Sequence, residues 1–276
     1  MTEPVIYRTL TDGPGTLHGG ASLILHTRQA LDLVKGSSEN VARGIPRVTG
    51  LIQFSRRLRV VLQAAAADDP TADWMLIRIE EAVIVAREHI IKALERVEQL
   101  LTSRRNVVVV LRQSSAPVKV DFSFGMGSPY IYQIVYLLED YDRLTAALLT
   151  AKHVALMAAD AASHSIRDGK HYIRRVLELP SQWSYQSVSR EDIRQNNQRA
   201  IRAMKWLAEV PQEVLEGTRR AEFAPRIITA ATAETSKQDT AATTMDEPDD
   251  DAFHGGTEER DMKSAKVDKP THRESR

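Results

Sequence analysis

The stretch VKVDFSFGMGSPYIYQIVYLLEDYDRL, residues 118–144, decides the fold. Its first seven residues alternate strictly. Val118, Val120, Phe122 and Phe124 face one way, and Lys119, Asp121 and Ser123 face the other. A period of two marks a strand with one buried face. Gly125-Met-Gly127 breaks the strand, and Ser128 stands as a helix cap with Pro129 at the first helical position. A long run rich in Tyr, Leu and Ile follows. A single strand cannot satisfy its own backbone N–H and C=O groups, so it needs a partner. Two candidates are open: the valine-rich Val107–Arg112, across the turn Gln113-Ser-Ser-Ala-Pro117, or the same strand of a second copy.

Working outward, the helix that opens at Ser128 runs to about Leu156. It either breaks at Asp140-Tyr-Asp142, with Asp142 capping a second helix, or continues unbroken, with the next helix at Asp160–Leu179. Pro180 is expected to end that region. Upstream, Asp68-Asp-Pro70 is a helix start. Met75, Ile79, Val83, Ala86, Ile90, Leu94, Val97 and Leu101 then recur at helical spacing, which predicts a long amphipathic helix. A helix is expected over Ser22–Lys35, capped by Ser22 and stopped by Gly36. Another runs from Pro46 to about Ala67, with Arg56, Arg57 and Arg59 on a solvated face. Ser189-Arg-Glu-Asp192 resembles a capping box. It opens a helix to Val210, with Ile193, Ala200, Met204 and Leu207 on one side and a basic stripe of Arg194, Arg202 and Lys205 on another.

Both ends of the chain differ in composition from this middle. Residues 1–20 read as a flexible arm. Their Asp12-Gly-Pro-Gly15 and His18-Gly-Gly20 lack the strand and the Gly-Lys-Ser/Thr that a phosphate loop needs. Residues 229–276 are dominated by Ala, Thr, Glu, Asp and Lys, and have too little to bury to offset their ordering entropy. The body is therefore expected over 21–228. Of 37 Lys/Arg, 7 lie beyond residue 228, and of 37 Asp/Glu, 12 do. The body thus carries +5 and the tail −5, which makes a mildly basic body compatible with a nucleic-acid partner.

Several chemistries are disfavoured. The chain has no cysteine, so thiolate nucleophiles, disulfides and Cys-based zinc sites are excluded. His153, His164 and His171 are spaced by eleven and seven, unlike the short spacings of zinc helices, so no metal or cofactor is expected. No nucleophile elbow, Ser-x-x-Lys or cofactor loop is visible, which speaks against an enzyme. No segment approaches the roughly 20 apolar residues of a membrane span, and Met1-Thr-Glu-Pro lacks a signal layout, so a cytoplasmic location without membrane contact is expected.

Five further segments carry a resemblance: Leu25-His-Thr-Arg-Gln-Ala30; Asp68-Asp-Pro70 with Ala72-Asp-Trp74; Tyr136-Leu-Leu-Glu-Asp-Tyr-Asp-Arg143; Arg194-Gln-Asn196; and Val214-Leu-Glu-Gly-Thr-Arg-Arg220 through Phe223-Ala-Pro225. They resemble a protein family encoded on bacterial integrating conjugative elements. That family includes the AcaB-type transcriptional activator of conjugative plasmids, a ribbon-helix-helix DNA-binding protein. The likeness runs from about Leu25 to Ile227.

It implies a mainly α fold of long amphipathic helices with a short β-ribbon, an enlarged ribbon-helix-helix, whose strand–helix element spans about 106–179. It further implies a sequence-specific DNA-binding regulator of a mobile element, acting on double-stranded DNA as a homodimer. The ribbon would enter the major groove, where Lys119, Asp121 and Ser123 read bases. Arg112, Arg194, Arg202 and Lys205 complete the expected DNA-contact set. The competing reading is a conjugation or partition accessory protein that works through contacts with other proteins of the mobile element.

Overall fold

A computed structural model describes residues 20–37, 48–103, 108–123 and 128–228. The expected arm up to residue 19, the tail 229–276, Pro46 and Phe124 lie outside the described residues.

The order of elements is β1 (Gly20–Leu25), α1 (Arg28–Lys35), α2 (Leu51–Ala66), α3 (Pro70–Leu101), β2 (Val118–Ser123), α4 (Pro129–His153), α5 (Ala159–Gln182), α6 (Arg190–Arg194), α7 (Gln198–Leu207) and α8 (Gln212–Glu216). The mainly helical class with a short ribbon is thus the observed one.

The body is built on α3, α4 and α5, which pack against one another, with α2 against α3 and α5. Asp69 caps α3 by accepting from the backbone N–H of Thr71 at 2.8 Å, and Pro70 occupies the first helical position. The whole apolar stripe expected from Met75 to Leu101 is buried. At 1.5 Å per residue, α3 spans about 48 Å, long enough to back most of the fold. Gly36 ends α1 at φ 69°, and its α-carbon sits where a Cβ would come within 2.6 Å of the Gly50 nitrogen. Glycine at both positions lets the ends of α1 and α2 touch, tied by the Ser37–Val48 bridge.

Three expectations are corrected, and one open alternative is decided. Ser22 is not a helix cap: it lies in β1, and Thr27 caps α1. The helix from Pro129 does not break at Asp140–Asp142. Asp142 is 5% exposed and points at the corner between β1 and α1, accepting from the N–H groups of His26 (2.8 Å) and Thr27 (2.9 Å) and from the Thr27 hydroxyl (2.5 Å). A carboxylate with that employment does not cap its own helix. The second long helix is therefore α5.

Pro180 lies inside α5, which continues to Gln182: the proline forgoes the hydrogen bond to the Val176 carbonyl, but only two residues of helix follow it. The helix expected over Arg190–Val210 is two helices. Asn196 adopts φ 46°, a conformation asparagine tolerates, and Asn197 caps α7 by accepting from the N–H of Arg199. The break turns Met204 outward at 61% exposure, and Ala203 takes the buried position instead.

Candidate nucleic-acid interface

The strand β2 finds its partner in β1, within the same chain and antiparallel, with Ser22 opposite Asp121, Ile24 opposite Lys119 and Leu25 opposite Val118. Neither expected partner is the observed one. Residues 108–112 form no strand. Val109 and Leu111 rest partly buried on the core, Val108 and Val110 face outward, and the N–H of Arg112 donates to Thr150 Oγ1 at 3.0 Å. That segment lies on α4 as an extended strap. β1 instead carries the alternation a ribbon needs: Leu23 and Leu25 are buried, Ser22 and Ile24 exposed.

Two faces result. Beneath, Leu23, Leu25 and the half-buried Val120 join the core. Above, Lys119 and Asp121 stand exposed beside Ser22 and Ile24. Lys119 Nζ lies 2.9 Å from Asp121 Oδ1, and the Ser22 hydroxyl donates to the same oxygen at 2.7 Å. These hydrogen bonds, the one from Lys119 first, hold the Asp121 carboxyl below the usual carboxylate range. The upper face therefore presents a cation, an anion and a hydroxyl in one small array. Ser123 continues this strand opposite Gly20.

The remaining expected contacts do not gather at the ribbon. Arg112 is exposed at the ribbon's base, in the strap before β2. Arg194 sits on α6 and is paired with Glu191 within its own helix. Arg202 and Lys205 are exposed on α7, and no described residue pairs with either. The break at Asn196 separates Arg194 from the other two. α7 rests on α3 and α6, whereas the ribbon rests on α4 and α1, so the expected basic stripe is not an extension of the ribbon face.

A second cluster escapes the sequence reading. Arg190, 4% exposed, donates to Asp73 at 2.7 Å, to Asp68, and to the carbonyl of Val214 at 2.8 Å. Arg220 donates to both oxygens of the same Asp73 at 2.9 Å. Glu80 accepts from the Tyr130 hydroxyl at 2.9 Å and from the N–H groups of Glu222 and Phe223. Burial first, then the Glu80 charge, pushes the Tyr130 phenol above its usual range. These groups fasten residues 214–223 to α3. Their pairing is internal, which makes the cluster a structural clasp rather than a ligand site. The only sequence signal is the presence of Asp73 among apolar neighbours at a helix start.

Among the described residues no cluster of three or more His, Cys, Asp or Glu could hold a metal ion. His89 pairs with Asp168 at 2.8 Å and stacks on Tyr172. No described helix is long and apolar enough to cross a membrane.

The sequence profile of the family described as "Transcriptional regulator AcaB" matches residues 13–228. Among solved structures, selenomethionine-containing AcaB from uropathogenic E. coli is similar over 84% of this chain and 100% of its own, with a TM-score of 0.48 and 15% identity. No curated protein matches significantly.

Proposed function

Because the chain belongs to the AcaB family of transcriptional regulators, we propose that it is a sequence-specific DNA-binding regulator of a conjugative element, acting in the cytoplasm as a homodimer. Each subunit brings its own two-stranded ribbon, β1 with β2, to the major groove, which is wide enough for such a ribbon. The observation that carries this reading is the upper face of the ribbon: paired, exposed and polar on a rigid helical base.

Lys119 donates to guanine O6 or N7 once it leaves Asp121, and Asp121 accepts from cytosine N4. Ser123 is the third reading position. Exchange of the Lys119–Asp121 pair for base contacts supplies discrimination, because a wrong base leaves one partner unsatisfied. Arg112, Arg202 and Lys205 contribute attraction to phosphates without reading sequence. Residues 21–228 form the working body, with 229–276 as an acidic segment that screens it. The homodimer reading is supported by Ile24 and Tyr136, each 53% exposed, which line one apolar groove with Val135 beside the ribbon.

Selection of bound duplexes from a random pool by the full chain tests this. Enrichment of an inverted or direct repeat is the expected result. Recovery of no enriched motif would overturn it.

A further inference from the structure

At the base of the ribbon, where β1 turns into α1 and the strap leads into β2, lies a cleft of about 590 Å³. Three elements supply its cations: Arg28 from the first position of α1, Arg112 from the strap, and Lys152, beside His153, from the last turn of α4. No described residue lining it is acidic. The nearest buried carboxylate, Asp142, is already engaged by three donors. His26 adds a buried Nδ1 with no hydrogen-bond partner among the described residues.

We propose that this cleft binds a phosphoryl group. Lys152 alone would be explained as a cation at a helix C-terminus, where the dipole favours it. Arg28 has no such explanation. It stands at the N-terminal end of α1, where the dipole opposes a cation, and no described carboxylate pairs with it. The first N–H groups of α1, those of Arg28 and Gln29, have no acceptor among the described residues either. An oxyanion in the cleft answers all of these at once, taking the cations by charge-assisted hydrogen bonds and the N–H groups by the geometry of a helix start. The volume suits a pyrophosphate-sized or nucleotide-sized group.

Such a group has two sources: the duplex backbone flanking the ribbon, or a small phosphorylated ligand that sets the ribbon's poise. Only the duplex source rests on the function proposed above.

The test uses the full chain, the double variant Arg28→Gln/Arg112→Gln, and Arg56→Gln as a control on the exposed face of α2. Sodium pyrophosphate binding is measured by calorimetry at constant ionic strength, and duplex binding by anisotropy over a salt series. The wild type is expected to bind pyrophosphate saturably, the double variant at least about tenfold more weakly, and the control like wild type. A salt slope shallower by about 0.9 for each phosphate no longer neutralised assigns the duplex backbone as the source. An unchanged slope with abolished pyrophosphate binding assigns a free ligand. Equal pyrophosphate binding by wild type and double variant, with equal slopes, overturns the cleft. If the wild type binds no duplex, the regulator reading fails and pyrophosphate binding alone decides. Lys152→Gln replaces the double variant if thermal unfolding shows that the latter does not fold.

Discussion

Lys119 and Asp121 form an ion pair along one strand, Nζ to Oδ1 at 2.9 Å, on the face that the ribbon turns away from the core. The cation that would meet DNA is therefore held by its own neighbour. Asp121→Ala frees Lys119 and removes a charge that phosphates repel. Duplex affinity at low salt is expected to rise several-fold, with a salt slope steeper by about one. Anisotropy titrations over a salt series measure both. The preferred sequence, whose cytosine Asp121 contacts, should not share that gain; an equal gain on every sequence would take the carboxylate off the bases.

The register of the ribbon is open to a chemical check, because the chain has no cysteine of its own. Residues directly opposite in an antiparallel pair have Cβ atoms about 4.5–5.5 Å apart, close enough for a disulfide to form after small adjustment. Ile24→Cys with Lys119→Cys should oxidise within one chain and migrate as a monomer on a non-reducing gel. A cross-linked dimer as the main product would mean that the ribbon forms between subunits.

The clasp around Asp73 is expected to dominate stability at the chain's C-terminal side. Asp73 is 0% exposed and answers two arginines. Asp73→Ala removes the buried carboxylate that Arg190 and Arg220 share and leaves the buried Arg190 with Asp68 as its one remaining carboxylate, and should cost about 3–5 kcal/mol in urea unfolding. Arg194→Ala, which breaks an exposed pair within α6, should cost less than about 1 kcal/mol. Similar losses for the two variants would refute the distinction.

Asp192 gives a pH dependence. The Ser189 N–H, then the Asn197 side chain, then the Ser189 hydroxyl hold its carboxyl below the ordinary value of 3.8. A depressed folded-state pKa means that its contribution is present above the unfolded value and is lost as pH falls through the folded one. Amide exchange at Ser189 and Asn197 should therefore accelerate as pH drops below about 4, after correction for intrinsic rates. Asp192→Asn should remove that local pH dependence; an unchanged profile would show that the corner does not depend on this carboxylate.

The legible and illegible parts of the sequence differ in range. The alternation that begins at Val118 and the stripe from Met75 to Leu101 are local patterns, and both became the expected elements. The capping box at Ser189–Asp192 is equally local and forms as written, with both reciprocal hydrogen bonds. β1 was hidden because Ser22 is an apt helix cap in isolation, and six residues of alternation leave little to weigh against it. The value of Asp142 depends on a corner more than a hundred residues upstream, so no window around it reveals its true partners. Arg190 opens a helix, where an arginine is normally solvated; only the fold brings Asp68, Asp73 and Val214 around it. Of the residues expected at DNA, the outward placement of Lys119 and Asp121 on the strand was readable from its period. The separation of Arg194 from Arg202 and Lys205 was not, since it turns on one left-handed asparagine at 196.

The most direct test compares wild type with Lys119→Ala/Ser123→Ala on the duplex recovered by selection. Both proteins should unfold alike, because an exposed lysine contributes little to stability. Specific affinity should fall by about 1–3 kcal/mol for each base that is no longer read, and sequence preference should flatten at those positions. Unchanged affinity and unchanged preference would contradict base reading by the ribbon.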